Sequence, residues 1–184
     1  MRVTFSVLAT LTCVGVGLAL CYGGENQTPK TASRASGGIW MDSQSGLTWQ
    51  VVPSGGAMTW SAAKAHCKSL SLGGHKDWRL PTISELRSLA RGCPPAQKGG
   101  SCGVTDSCRK QSCWNDDPCR ACANNGGPGP GGAYWPPELS GRIGWYWSSS
   151  AVADLDDLAW SVGFDYGVVF YSHQNVVYEA RCVR

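Results

Sequence analysis

Apolar and polar residues alternate at the start of the folded part of the chain, in the segment GIWMDSQSGLTWQ at positions 38–50. Alternation with a period of two is typical of half-buried β-strands. The Ser-Gly pair in the second half of this segment supplies a turn. The pattern therefore predicts two short strands, with the indole rings of Trp40 and Trp49 directed into the core.

The apolar spacing then widens in the segment TWSAAKAHCKSL at positions 59–70. Residues three and four positions apart lie on one face of an α-helix. Thr59 is a suitable N-cap, and the two glycines of the following SLGGHK end the pattern. We predict a first helix here, with an apolar face made of Trp60, Ala63, Cys67 and Leu70.

A second helix is predicted from the segment DWRLPTISEL at positions 77–86. Thr82 and Glu85 have the spacing of a capping box, and Pro81 restrains the approach to the helix. Arg79 lies in the extended approach; the sequence leaves open whether a carboxylate or backbone carbonyls hold it. We expect this corner to seat the helix against a sheet rather than to do chemistry, because each residue type has a local folding reason. The apolar face of the helix comprises Leu80, Ile83, Leu86 and Leu89.

Strand patterns dominate positions 145–184. The segment WYWSSS predicts one strand, and AWSVGFDYGVVFY predicts a hairpin that turns at residues 165–167. One face of the hairpin's first strand carries Trp160, Val162 and Phe164. The terminal NVVYEARCVR predicts a last strand, one face of which carries Val176, Tyr178, Ala180 and Cys182.

Positions 93–137 form an insert in which the apolar periodicity is lost and Gly and Pro are abundant. Such a segment cannot build a core of its own, so disulfide bridges must hold it if it is ordered. The spacing does not choose among the pairings. The insert contains Cys93, Cys102, Cys108, Cys113, Cys119 and Cys122.

The N-terminal residues predict export. Residues 1–21 combine a basic start with an apolar run typical of a signal peptide, and no second long apolar stretch follows. Cys21 stands where a lipoprotein carries its acylated cysteine, but the preceding Leu20 is larger than such signals prefer. Lipidation of Cys21 and simple cleavage both remain open. Residues 22–38 are polar and predict a flexible linker, which leaves a domain at 39–184.

Composition agrees with an exported domain. The 184 residues carry a net charge of +3 and no stripe of Lys and Arg, so we expect no nucleic-acid partner. Of ten cysteines, eight lie beyond the predicted signal, an even number that favours an oxidised protein outside the cytoplasm. Contact with a membrane is expected only through a lipid anchor at Cys21.

Six segments in order together resemble the Lcl C-terminal domain family, a bacterial family named after a collagen-like adhesin. They are GLTWQ, TWSAAKAHCKSL, DWRLPTISEL, YWSSS, AWSVGFDYG and ARCVR. The resemblance covers residues 39–184 apart from the insert. It implies an α+β fold of the C-type-lectin-like kind, with two helices packed on a twisted antiparallel sheet and the termini close together. It also implies a disulfide between Cys67 and Cys182, with the six cysteines of the insert paired among themselves.

The insert departs from the family pattern, in which a shorter, Cys-poor loop joins the second helix to the YWSS strand. Because lectin-like folds bind ligands in this loop region, the insert puts a transferred binding function in doubt. The fold is also shared with formylglycine-generating enzymes, whose catalytic cysteines need a matching pair near the C-terminus. The resemblance commits Cys182 to a bridge, so an enzyme of that kind is the weakest alternative.

The sequence contains only weak candidates for metal-binding residues. Three carboxylates, Asp154, Asp156 and Asp157, can hold a hard cation, although a solvated acidic turn is the more common structure. The Trp-Asn-Asp triplet at 114–116 resembles a calcium-binding triplet of lectins but lacks its partner triplet. The CRAC segment at 119–122 has the spacing of half a zinc site, whereas an exported chain favours bridges. We therefore expect no metal and no cofactor.

A ligand-binding surface is predicted at the ends of the last hairpin. Tyrosine faces stack on sugar rings or anchor protein partners, and amide side chains supply adaptable hydrogen bonds. The sequence predicts a cell-envelope module that binds an extracellular glycan or protein through these loops and the insert. The alternative is a structural domain of a surface assembly with no small ligand. The candidate contact residues are Tyr166, Tyr171, His173, Gln174 and Asn175.

Overall fold

The computed structural model of the protein describes residues 36–120 and 122–184. This part of the chain is an α+β fold with two small antiparallel sheets, a few short helices and four disulfides. None of its helices has the length and apolar character needed to cross a membrane. The predicted signal peptide, Cys21 and nearly all of the predicted linker lie outside the described residues.

The first sheet pairs β1 (Ile39–Met41) with β2 (Thr48–Gln50). Trp40 and Trp49 face each other in the register and are both buried, so the prediction for this segment is confirmed. The C-terminal residues pair with the free side of β2. The Thr48 amide donates to the Arg184 carbonyl at 3.0 Å, and the Gln50 amide donates to the Cys182 carbonyl at 3.0 Å. The two ends of the described chain therefore lie side by side.

The second sheet has the order β3-β4-β5, formed by Trp145–Ala151, Leu158–Gly163 and Val168–His173. The predicted hairpin is β4–β5, and its turn lies where the sequence places it. Both faces of the central strand β4 are covered, since all but one of its residues are buried. Trp160, Val162 and Phe164 belong to the main core on one face, while Ala159 belongs to a second cluster on the other.

Helix α1 (Trp60–Ser69) packs on that second face of the sheet. Its buried residues, Ala63 and Cys67, join a cluster with Trp147 and Ala159. Thr59 is the N-cap residue, as predicted, but its side chain makes no capping bond. The helix is only ten residues long, so it covers only part of the sheet.

Helix α2 (Ile83–Ser88) begins with the predicted capping box, in which the Glu85 amide donates to the Thr82 side chain and the Thr82 amide donates to the Glu85 carboxylate. The corner before it crosses the edge of β3. The Ser149 amide donates to the Pro81 carbonyl at 2.7 Å, and the Ile83 amide donates to Ser150 Oγ at 3.0 Å. The corner thus links the two clusters. The four residues of the predicted apolar face are all buried: Leu80, Ile83, Leu86 and Leu89.

A carboxylate holds the guanidinium of Arg79, which settles the alternatives left by the sequence. Arg79 Nη1 and Nη2 each donate to one oxygen of Glu85 at 2.6 Å. Burial alone raises the pKa of Glu85, but the hydrogen bonds from Arg79 and the Thr82 amide outweigh it and lower the pKa below its ordinary 4.5. The ionised carboxylate therefore stabilises the corner.

We expect Glu85→Gln to lower the free energy of unfolding by about 0.5–1 kcal/mol at pH 7. Because the folded-state pKa is depressed, the contribution is present above pH 4.5 and is lost as the pH falls through the folded-state value. Urea unfolding of both proteins at pH 7 and pH 3 measures the difference. An equal gap at the two pH values would contradict the role of the ionised carboxylate.

The disulfides of the insert are nested. Cys93–Cys122 encloses Cys102–Cys119, which encloses Cys108–Cys113, with sequence separations of 29, 17 and 5 residues. Helix α3 (Asp116–Cys119), which lies in the insert, carries a cysteine of the middle bridge. The fourth bridge joins Cys67 of α1 to Cys182 near the C-terminus, the pairing that the family resemblance implies.

The insert is part of the main core and does not hang outside it. It supplies buried residues to the same cluster as α2 and the second sheet. Because no local periodicity marks these residues, the sequence did not predict their burial. They are Cys93, Ala96, Cys102, Val104, Cys119, Ala133, Tyr134 and Trp135.

We expect mild reduction to open the Cys108–Cys113 bridge before the other three. Cys108 is exposed, whereas each of the other bridges has at least one cysteine that is fully or almost fully buried. Exposed disulfides are the more accessible to attacking thiolates. Limited reduction followed by alkylation and peptide mass spectrometry checks the order, and early alkylation of Cys102 or Cys119 would contradict it.

The prediction of a regular last strand is wrong. The terminal segment forms only isolated bridges, in which Tyr178 pairs with Met58, Glu179 with Tyr146, and Val183 with both Trp49 and Arg79. It changes partner every few residues, so no continuous ladder forms. Burial does not alternate either, because all five residues from 179 to 183 are buried, while Val176 is 39% exposed.

Candidate functional site

The second face of the three-stranded sheet is only half covered. Strand alternation places Trp145 and Trp147 of β3 and Val168, Phe170 and Ser172 of β5 on this face. Trp147 is fully buried in the cluster that contains α1, whereas the other four are only half-buried. The uncovered half therefore lies between Trp145 and β5, beyond the reach of the short helix.

Two adjoining cavities lie along this uncovered half, and we call them together the sheet-face groove. Their volumes are about 310 Å³ and about 330 Å³, and Trp145 and Tyr178 line both. The first is also lined by Arg142, Ile143, Val177 and Glu179. The second is also lined by Arg120, Val168, Phe170 and Ser172. Each volume is at the low end of the range for small-ligand sites.

Aromatic rings dominate the groove. The rings of Trp145 and Tyr178 are nearly parallel, at 21°, with centroids 5.6 Å apart. Phe170 stands at 65° to Trp145 with a centroid distance of 6.4 Å. Gly163 of β4 lies beneath Trp145, and a Cβ there would come within 3.2 Å of the indole ring. The glycine therefore lets the indole lie close to the strand, because a side chain at this position would push the ring away.

The polar groups of the groove are few and mostly paired. Ser172 Oγ and the Tyr178 hydroxyl share a hydrogen bond of 2.9 Å. Arg120 Nε donates to Asp116 Oδ1 at 2.9 Å, and the Arg120 guanidinium lies 4.9 Å from the Phe170 ring centroid. Glu179 is 8% exposed and lines the first cavity. Aromatic surface, rather than charge, is therefore the main chemical feature of this site.

The insert supplies one wall of the groove. Arg120 follows α3 directly, and the Cys102–Cys119 bridge fixes the end of that helix. Trp114 anchors the same region to the sheet, because its Nε1 donates to the Val169 carbonyl at 2.8 Å and its ring lies edge-on to Phe170. The Cys-rich segment thus orders the outer edge of β5.

The structure does not gather the five predicted ligand contacts into one surface. Tyr166 lies at the β4–β5 turn, whereas His173 and Asn175 lie at the opposite end of β5, about 17 Å away along the strand. Tyr171 points to the main-core face, where its hydroxyl accepts from Gln111 Nε2 at 2.8 Å. Gln174 Nε2 donates to the Leu158 carbonyl at 3.4 Å. None of the five lines the sheet-face groove, and their role as ligand contacts stays a prediction.

The weak metal candidates do not come together as a metal site within the part of the chain that the structure describes. Among the described residues, no group of three or more His, Cys, Asp or Glu side chains is placed to hold a metal ion, and this includes Asp154, Asp156 and Asp157. Asp154 Oδ1 instead accepts the Gln111 amide at 2.7 Å, which ties the β3–β4 loop to the insert. The cysteines of the CRAC segment belong to two different bridges.

A second cleft, beside β1, is polar. Its two cavities, of about 190 Å³ and about 310 Å³, share Asp42, Gln44 and Arg91. The Asp42 carboxylate already accepts from Ser45 Oγ at 2.7 Å, from the Gln44 amide at 3.1 Å and from Arg91 Nη2 at 3.3 Å. These groups satisfy one another, so the cleft offers a ligand less than the sheet-face groove does.

Sequence reasoning also missed a contact between Ser54 Oγ and His66 Nε2, 3.2 Å apart on the surface. Ser54 Oγ accepts from Gln50 Nε2 at 3.0 Å. Among the described residues, no carboxylate orients the other nitrogen of this ring, as a hydrolase triad would require. The pair joins the loop after β2 to α1.

Comparison with known proteins agrees with the motifs in the chain. A search of curated proteins finds no significant match. The sequence model of the Lcl C-terminal domain matches residues 38–184, which include the insert, both sheets and the Cys67–Cys182 bridge. The chain therefore belongs to the Lcl C-terminal domain family.

Proposed function

We propose that the protein is an exported module of a bacterial cell envelope that binds an extracellular glycan or protein in the sheet-face groove. The observation that carries the proposal is the uncovered half of the sheet, where Trp145 and Tyr178 line two cavities of about 310 Å³ and about 330 Å³ and Phe170 lines the second. Concave sites lined by aromatic residues with a few polar groups are the usual form of small-ligand sites. A ligand that covers these rings would remove their apolar surface from water, and this favours binding.

Export is supported by the four disulfides, which persist outside the reducing cytoplasm. The proposed compartment is the periplasm, the outer membrane or the cell surface. We also propose that the fold is C-type-lectin-like. Its support is the pairing of the terminal residues with β2 and the bridge that ties α1 to the C-terminal segment.

The binding proposal predicts that Trp145→Ala weakens binding of a ligand at least tenfold. Truncation of a central aromatic contact typically costs about 2 kcal/mol or more. A glycan array and a pull-down from purified envelope fractions identify ligands for the wild-type protein. Isothermal titration of the identified ligand against wild type and variant measures the loss.

Val52→Ala is the control, because Val52 is 55% exposed and lines neither cavity of the groove. It should bind as the wild type does. Circular dichroism and a thermal melt show whether Trp145→Ala remains folded. A folded Trp145→Ala variant that binds every identified ligand with wild-type affinity would contradict the proposal.

A structural role in a surface assembly is a second candidate, favoured by exposed apolar side chains beside the groove. Val176 is 39% exposed and Val177 is 55% exposed, and Val177 lines the first cavity. Side chains of this kind fit a permanent protein neighbour. Val176→Lys would disrupt such a contact, and crosslinking in intact cells would detect its loss, whereas sugar binding would be unaffected because Val176 lines neither cavity.

A further inference from the structure

We propose that the Cys108–Cys113 bridge is a reversible thiol-exchange site, at which Cys108 takes up an external thiol as a mixed disulfide and Cys113 releases it. The external thiol is a small molecule or a cysteine of another protein. This chemistry does not depend on the sheet-face groove or on any ligand bound there. Three features of the bridge support the proposal: its exposure, its small share in holding the fold, and the contacts that keep its loop in place.

The two cysteines of this bridge differ in accessibility. Cys108 is exposed, whereas Cys113 is half-buried and packs against the main core. A thiolate attacks one sulfur of a disulfide and expels the other sulfur as a thiolate. Because Cys108 is the accessible partner, attack occurs there and forms the mixed disulfide on Cys108. The electron pair of the broken S–S bond stays on Cys113, which is therefore the leaving group and remains part of the protein.

Opening this bridge leaves the rest of the insert cross-linked. The bridge spans only 5 residues, whereas the two bridges that enclose it span 17 and 29 residues. A bridge that closes a short loop constrains the unfolded chain least. The cysteines of the middle bridge, Cys102 and Cys119, are both buried in the main core, so an external thiol has no direct access to them. Exposed disulfides of this kind are the labile ones in a protein.

Hydrogen bonds that do not involve the bridge hold the chain between its two cysteines. The Arg109 carbonyl accepts from the Ala153 amide at 2.9 Å and from Trp160 Nε1 at 3.1 Å. The Gln111 amide donates to Asp154 Oδ1 at 2.7 Å. These contacts fix the loop to β4 and to the β3–β4 connection. The loop therefore keeps its position when the S–S bond is broken.

Each cysteine is also held on its own side of the loop. Cys108 and Thr105 exchange two backbone hydrogen bonds, at 3.0 Å and 3.1 Å. Trp114, which follows Cys113 directly, donates from Nε1 to the Val169 carbonyl at 2.8 Å. The Cys113 thiolate therefore stays near a mixed disulfide on Cys108, at a high effective concentration. Its attack on Cys108 Sγ forms the bridge again, and the external thiol leaves as a thiolate.

Reaction with oxidised glutathione tests the roles of the two cysteines. The wild-type protein is first opened at this bridge by limited reduction, and the reductant is removed. Cys108 then attacks oxidised glutathione and carries one half of it, and Cys113 displaces that half and closes the bridge. We expect Cys113→Ser, which lacks the second step, to accumulate at least tenfold more glutathione on Cys108 than the wild type does. Peptide mass spectrometry locates the adduct.

Cys108→Ser is the matched variant, because it lacks the same bridge and leaves only the half-buried cysteine. Glutathione should add to Cys113 in this variant at least tenfold more slowly than to Cys108 in Cys113→Ser. The two variants lose the same cross-link, so a difference between them does not come from a general loss of stability. Equal rates would overturn the assignment of Cys108 as the attacked cysteine.

The source of the external thiol is distinguished with two probes on the oxidised wild-type protein. Reduced glutathione is the small thiol, and a thiol-terminated polyethylene glycol of protein-like size represents a macromolecular thiol. Alkylation and peptide mass spectrometry then show which bridge has opened. Opening of Cys108–Cys113 by both probes supports a site that protein thiols can reach, and opening by glutathione alone supports a site for small thiols.

Two further results would overturn the proposal. Equal amounts of glutathione on Cys108 in the wild type and in Cys113→Ser would show that Cys113 does not release the thiol. Loss of hydrogen-exchange protection at the Gln111 and Ala153 amides after limited reduction would show that the loop melts and no longer holds Cys113 in position. We expect both amides to stay protected, because their acceptors do not involve the bridge.

Discussion

Replacing Cys67 and Cys182 together by alanine is expected to lower the free energy of unfolding by about 5 kcal/mol. The bridge closes a loop of 115 residues, so its loss releases a large conformational entropy in the unfolded chain. Both sulfur atoms are fully buried, and the bridge ties α1 to the C-terminal segment against the second sheet. Chemical denaturation at neutral pH measures the change.

The matched control is Cys108→Ala with Cys113→Ala, which removes a bridge between residues only 5 apart. On the same entropy argument, removal of this short bridge lowers the free energy of unfolding by about 2 kcal/mol. The two double variants therefore separate the effect of loop length from that of losing any disulfide. Equal losses would show that the long bridge does not act by constraining the unfolded chain.

The second large effect is expected at Arg87, a buried cation that holds the insert. Arg87 is 1% exposed, and its guanidinium donates to four backbone carbonyls of the insert. Nε donates to Ala96 at 2.9 Å and Nη2 to Gln97 at 2.8 Å, and the other two acceptors are the carbonyls of Pro95 and Val104. Burial lowers the pKa of Arg87 to about 10, so the group is charged at neutral pH.

Arg87→Met is expected to lower the free energy of unfolding by about 3–5 kcal/mol, because several buried carbonyls lose a charged donor. Arg87→Lys should retain only part of the stability that Arg87→Met loses, since an ammonium group cannot reproduce the planar set of donors of a guanidinium. Arg109→Met is the control: Arg109 is exposed in the same insert, and its loss should cost less than about 0.5 kcal/mol. Denaturant unfolding compares the three variants. A loss at Arg87→Met no larger than at Arg109→Met would contradict the anchoring role.

Local patterns predicted the elements whose signals are short-range. The capping box at Thr82 and Glu85, the alternation around Trp40 and Trp49, and the β4–β5 turn all involve residues within a few positions of one another. Such patterns reflect which side of one helix or strand is buried, and the sequence carries that information directly.

The site depended on information that local patterns lack. The groove exists because α1 stops before it covers the whole sheet face, and because Tyr178 of the terminal segment comes to lie beside Trp145. Strand β5 shows how far local patterns can predict the site. The sequence analysis predicted Tyr171 as a ligand contact, but strand alternation directs Tyr171 to the core and places Phe170 and Ser172 on the groove.

The insert and the last segment show the same contrast between what local patterns predict and what only the tertiary structure decides. Composition was enough to predict that the insert needs bridges, but the nested pairing and the four carbonyls around Arg87 required the folded chain. Residues 179–183 looked like an alternating strand, yet they are buried in succession because they pass between three different partners. Contacts between residues far apart in the chain leave no periodic trace in the sequence, and in this protein those contacts shape the groove.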